Sequence, residues 1–173
     1  MKTKKRILVA PLNWGIGHAT RCIPLINALI SHNYEVVIAA DGRPLHLLIT
    51  EFPDLEIVRF SGYNINYSRY LPMSISMLFQ LPKLLWNIKK EHETLNQIIV
   101  DYKIDGVISD NRFGLFSKKV PSVFITHQLQ IQSPYFSDKI REFNYKYINK
   151  FDACWVMDDE QKNLAGDLSN PSV

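Results

Sequence analysis

At 173 residues and 20.1 kDa the chain is long enough for one domain with a real core and short of two full-sized ones. With 46% hydrophobic, 21% charged and 12% aromatic residues it excludes disorder, collagen-like repeats and low-complexity sequence, and a net charge of +3 is too mild to imply nucleic acid. The two cysteines, Cys22 and Cys154, exclude a disulfide-stapled secreted scaffold and any Cys-x-x-Cys metal or redox motif, which makes the cytoplasm the default location.

Lys2, Lys4, Lys5 and Arg6 ahead of residues 7–10 imitate a signal peptide, but Pro11, Asn13 and Gly15 break the apolar run too early. Residues 7–11 are short, nearly all apolar and rich in branched side chains, as a strand buried on both faces of a parallel sheet should be. Runs of the same kind follow at 35–40, 55–60, 106–109, 122–126 and 153–157. Between several of them lies helical periodicity. Cys22, Ile26, Leu29 and Ile30 make one face, and Leu45, Leu48, Ile49 and Phe52 another. This alternation predicts an α/β fold, a doubly wound parallel sheet of about six strands in three layers with right-handed crossovers.

Regular spacing fails after the third strand. Residues 61–70 form an aromatic, polar loop (Tyr63, Asn64, Asn66, Tyr67, Arg69, Tyr70), and a helix follows whose buried stripe is Leu84, Leu85, Ile88, Leu95, Ile98 and Ile99. The longest apolar stretch free of charge, 70–82, contains prolines, serines and a glutamine and is shorter than the roughly 20 residues needed to span a bilayer. Residues 166–173 are polar, breaker-rich and without periodicity, as a linker would be.

The first strand runs into Asn13-Trp-Gly-Ile-Gly-His18, and Pro24 places the start of the next helix near 20–23. A glycine loop between a strand's carboxyl end and a helix N-terminus aims backbone N–H groups and the positive end of the helix dipole at one spot, which suits a phosphate or another anion. One reading is a dinucleotide fingerprint, with Asp41 on a ribose and an NAD(P) oxidoreductase as the consequence. Against it, Thr20 stands where Gly or Ala is needed, and the His18 imidazole sits where a pyrophosphate would approach. No Gly-x-x-x-x-Gly-Lys-Ser/Thr motif occurs, which excludes a P-loop nucleotidase.

The run from Gly15 to Pro24, Gly-Ile-Gly-His-Ala-Thr-Arg-Cys-Ile-Pro, resembles the opening of GT-B glycosyltransferases. These are the relatives of the peptidoglycan N-acetylglucosaminyltransferase that makes lipid II and of the UDP-glycosyltransferases. Five residues separate His18 from Pro24, more than in the peptidoglycan enzyme, which points to another subfamily. Two further segments resemble the family: Val107-Ile-Ser-Asp110, followed by Asn-Arg-Phe-Gly114, and Phe124-Ile-Thr-His-Gln128. The resemblance spans the chain but only half of such an enzyme. It implies a Rossmann-like acceptor-binding domain over 1–165, the start of an interdomain linker at 166–173, and a donor-binding C-terminal domain outside this sequence.

The resemblance further implies an inverting transfer of a sugar, an N-acetylhexosamine or hexose, from a UDP-sugar to a hydroxyl of a glycan or lipid-linked acceptor. It implies a metal-independent enzyme of the cell envelope without a cofactor, and a fragment that is inactive alone. Such a reaction needs a base for the acceptor hydroxyl, and an imidazole with an ordinary pKa of about 6.5 suits the task. His18 is the candidate base and Asp110 the carboxylate that orients it. Asn13, Gly15, Gly17, Arg112, His127 and Gln128 are candidate contacts to acceptor hydroxyls or phosphate.

Each assignment has a structural alternative. His18 could cap the helix or pack on Trp14, Asp110 could cap a short helix after the fourth strand, and Arg112 could be solvated. His127 and Gln128 could satisfy loop backbone, while Gly15 and Gly17 could serve only positive φ in the turn. His92 is expected to be a satisfied, partly buried side chain, and Cys22 and Cys154 inert core thiols. The apolar and basic residues of 71–90 fit either packing or a peripheral contact with an anionic membrane. For the chain as a whole, a Rossmann-like module that binds a ligand without chemistry is the alternative from another functional class.

Overall fold

The structure, a computed structural model, describes residues 4–62, 73–127, 129 and 137–158. Its elements are β1 (Arg6–Pro11), α1 (Ile16–Ser31), β2 (Glu35–Ala40), α2 (Gly42–Glu51), β3 (Glu56–Arg59), α3 (Met73–Asp101), β4 (Gly106–Asp110), β5 (Ser122–Thr126), α4 (Ser137–Ile148) and β6 (Ala153–Val156). The six strands form one sheet in the order β3-β2-β1-β4-β5-β6, every pair parallel, which is the predicted doubly wound architecture.

Successive side chains of a strand point to opposite faces, and the core divides accordingly. Val9, Val36, Ile38, Ala40, Ile108 and Ile125 face Ala19, Cys22 and Ile26 of α1 and Leu45 and Leu48 of α2. Leu8, Ala10, Val37, Ala39, Val107 and Phe124 face Leu95, Ile98 and Ile99 of α3 and Ile148 at the end of α4. Helices therefore cover both sheet faces in three layers, and the central strands β1, β2 and β4 are buried along nearly their whole length.

Three local expectations are corrected. α1 starts at Ile16 rather than near residue 20, and it carries Pro24 in its interior. Proline there removes an N–H and crowds the carbonyl four residues back. Both Pro24 and that residue, Thr20, lie on the exposed face of α1, where water can serve the released carbonyl. No helix follows β4, since residues 111–121 are turns and bends. Finally, Ile30, Ile49 and Leu85 are exposed although each was assigned to a buried stripe.

The loop after β3 (63–70), Gln128 and the expected linker at 166–173 lie outside the described residues. Within the segment 71–90, Trp86 stands 61% exposed with the Lys90 ammonium 5.2 Å from its ring centroid, while Leu84 and Ile88 are buried. Among the described residues no helix is long and apolar enough to cross a membrane.

Candidate active site

Strand order reverses between β1 and β4, because the chain proceeds outward from β1 to β2 and β3 and then returns to β4 on the other side. In open parallel sheets the loops leaving the carboxyl ends at such a reversal diverge and leave a crevice. Pro11, the last residue of β1, pairs with Asp110, the last residue of β4. The loop after β1 and the end of β4 are thereby fixed side by side at the mouth of this crevice.

Gly15 adopts φ 134°, a conformation that L side chains rarely take, and it ends the loop at the N-cap of α1. Gly17 is already helical, so positive φ explains Gly15 and not Gly17; a Cβ at residue 17 would meet only open space. α1 has no side-chain cap at Gly15 and no acidic residue in its first turn, so among the described residues no carboxylate competes for its first N–H groups. Asn13 lies under the loops after β2 and β3: a Cβ on Gly42 would come within 2.8 Å of its amide nitrogen, and one on Gly62 within 3.4 Å of its Cβ. Asp41, the residue weighed for a ribose, accepts from the Gly42 N–H at 2.8 Å and caps α2.

His18 occupies the first turn of α1, and its Nδ1 lies 3.1 Å from Asp110 Oδ2. The histidine side chain is 14% exposed and the carboxylate 0%. His18 and Asp110 are therefore in contact across the topological reversal. Asn111, at φ 59°, turns the chain out of β4, and its N–H bonds the Ile125 carbonyl at 3.0 Å, which anchors the end of β4 to β5.

One residue was not anticipated. Arg21 donates from Nε to Asp110 Oδ2 at 2.7 Å and from Nη2 to Asp110 Oδ1, its Nη2 also approaches His18 Nδ1, and its Nη1 lies 2.9 Å from His127 Nδ1. A bidentate guanidinium makes strong, charge-assisted hydrogen bonds to a carboxylate. The signal was present as helical spacing: residues three apart share a face, so a helix starting at Ile16 puts Arg21 beside His18. His127 follows β5 at the same edge of the sheet. Its pKa is lowered from 6.5, first by burial, then by the nearby Arg21 and His18 charges.

Arg112 is not brought into this cluster. It is 0% exposed, bonded to Glu91 of α3 at 2.8 and 2.9 Å and to the carbonyls of Phe60 and Ser61. This buried arginine is neither solvated nor open to a phosphate. Burial raises the Glu91 pKa against the pull of Arg112. Glu91, Ser61, Gly62, Arg59 and Lys90 border an open cavity of about 270 Å³ next to the loop after β3. Burial pushes the Cys22 thiol well above its ordinary pKa, as an inert core cysteine requires, and Cys154 moves the same way. His92 stacks on Phe116 at 4.1 Å, but its buried Nδ1 has no hydrogen-bond partner among the described residues. His18, His127 and Asp110 are metal-ligand types with a guanidinium among them, and among the described residues no group of three such side chains is placed to hold an ion.

Fold and site together define a doubly wound α/β domain with a histidine–carboxylate pair at the topological switch point. Residues 5–151 match the sequence profile of Glycosyl transferase family 1, and the chain belongs to that family. Among curated proteins no sequence match is found. Similar solved structures include MurG of Acinetobacter baumannii (TM-score 0.52, 12% identity, 99% of this chain against 44% of that one) and UGT89C1 of Arabidopsis thaliana complexed with UDP (0.56, 11%, 90% against 45%). A putative UDP-N-acetylglucosamine 2-epimerase from Listeria monocytogenes is similar too (0.51, 15%, 89% against 39%). At these identities the likeness is one of fold alone. The chain spans less than half the length of each of these proteins.

Proposed function

We propose that this chain is the acceptor-binding half of an inverting glycosyltransferase that moves a hexose or N-acetylhexosamine from a UDP-sugar to a hydroxyl of a glycan or lipid-linked acceptor. The observation that carries the reading is the 3.1 Å contact between His18 Nδ1 and the wholly buried Asp110 at the mouth of the crevice. A proton on Nδ1, held by Asp110, leaves the Nε2 lone pair to take the acceptor's hydroxyl proton. The acceptor oxygen then bonds to the anomeric carbon as the bond from that carbon to the diphosphate oxygen breaks, and UDP departs from the opposite side. The buried carboxylate stabilises the imidazolium that results, and the first turn of α1 offers N–H groups to phosphate oxygens. The second domain expected in such an enzyme would hold most of the nucleotide and close the site to water.

Family membership favours this reading over the dinucleotide oxidoreductase, for which Asp41 is already engaged in capping α2. The test is a screen of UDP-sugars against hydroxyl acceptors with the two-domain gene product, with the anomeric configuration of the product read by proton NMR. Transfer with inversion is expected. Transfer with retention, or nucleotide-sugar binding that leads to no product with any acceptor class, would contradict it.

A further inference from the structure

We propose that the cavity beside the loop after β3 is an anion-binding subsite, which takes the carboxylate or phosphate of an acidic acceptor. The proposal deepens the glycosyl-transfer reading and rests on it only for calling the bound molecule an acceptor, since anion binding is a property of this chain alone.

The cavity lies between one face of α3 and the chain leaving β3. Asn87, Lys90, Glu91 and Thr94 line it from α3 at spacings of three and four, and residues 59–62 line it from the other side. At about 270 Å³ it is small for a ligand pocket, with room for one group of a larger molecule.

Charge decides which group. Glu91 is the one carboxylate among these lining residues, and it is already engaged: Oε1 accepts from Arg112 and Oε2 from the Gly114 N–H at 3.3 Å. The two cations at the border have no such counter-charge. Among the described residues the Arg59 guanidinium makes no ion pair or hydrogen bond, and the Lys90 ammonium meets only the Trp86 ring, at 5.2 Å from its centroid. An aromatic face attracts an ammonium but leaves its charge uncompensated. The Asn87 amide, half-buried, also lacks a side-chain partner among the described residues. The lining thus offers donors and surplus positive charge. An anionic oxygen gains charge-assisted hydrogen bonds there that a neutral hydroxyl cannot match.

The cavity also adjoins the crevice. Gly62 borders it, and a Cβ on Gly62 would come within 3.4 Å of the Asn13 Cβ. A molecule anchored in the cavity therefore lies alongside the loop that leads from β1 to His18.

The test titrates the ¹⁵N-labelled 173-residue chain, at neutral pH and low salt, with glucuronic acid, glucose 1-phosphate and glucose, read by ¹H–¹⁵N spectra. Shifts are expected at Gly62 and at the Asn87 side-chain amide with one or both acids and not with glucose, and the acid that binds distinguishes a carboxylate from a phosphate. Arg59→Met combined with Lys90→Met, both at exposed positions, should weaken this binding at least about tenfold, whereas Lys89→Met, which removes the partner of Glu93 outside the cavity, should leave it unchanged. Glucose shifting these signals as the acids do, shifts confined to Gly17 at the start of α1, or no shift with either acid would overturn the proposal. So would a double variant that binds within about threefold of the unmodified chain. Sugar transfer plays no part in these spectra, so its failure would leave the subsite standing.

Discussion

Asp110 is buried completely, and its carboxylate oxygens are met by Arg21 and His18. The His18–Asp110 pairing was legible only through the family resemblance of the segments 15–24 and 107–114, since strand order, which brings the two together, has no signature in the local sequence. Arg21 is not legible there, because Pro24 signals a later helix start and so hides the three-residue spacing that joins Arg21 to His18. His127 carries a prediction at this scale. Its native pKa lies below the ordinary 6.5, so the unfolded chain binds the proton more readily than the folded one. The corresponding stability is fully present above pH 6.5 and is lost as the pH falls through that value toward the lower native pKa. Urea midpoints measured at pH 7.5 and 5.5 should separate more in the unmodified protein than in His127→Gln; an equal separation would mean that this ring does not titrate as its surroundings dictate.

At the scale of elements, strands were easier to read than helix faces. Branched apolar runs marked all six strands to within a residue or two, but three adjacent pairs misled the helix assignment: Leu29–Ile30, Leu48–Ile49 and Leu84–Leu85. Each step along a helix turns about 100°, and in each pair the second residue rotates out to solvent. α4 was not singled out because its apolar positions, Phe143, Tyr147 and Ile148, are interleaved with charged side chains. The Glu91–Arg112 pair joins α3 to the turn after β4, and Arg112 also grips the carbonyls after β3. Glu91 keeps a raised pKa despite its arginine, so desolvation outweighs attraction. Glu91→Leu should therefore cost about 3–5 kcal/mol by stranding the guanidinium, while adding Arg112→Met should recover more than half of that loss. Denaturant titration of both variants and their combination checks this, and additive losses would show that the pair stabilises the fold in its own right.

For the whole molecule, the parallel sheet places Asn13, Gly15, His18, Asp110 and His127 at one edge because every strand ends there. That edge was readable from alternation alone; what approaches it was not, since residues 61–70 follow no period. The account turns on His18 as the group that takes the acceptor's proton. Its most direct test is the turnover of His18→Ala in the full-length enzyme proposed above, with folding verified by circular dichroism. A fall in kcat of about 10²- to 10⁴-fold is expected. Turnover within a few-fold of the unmodified enzyme would contradict it.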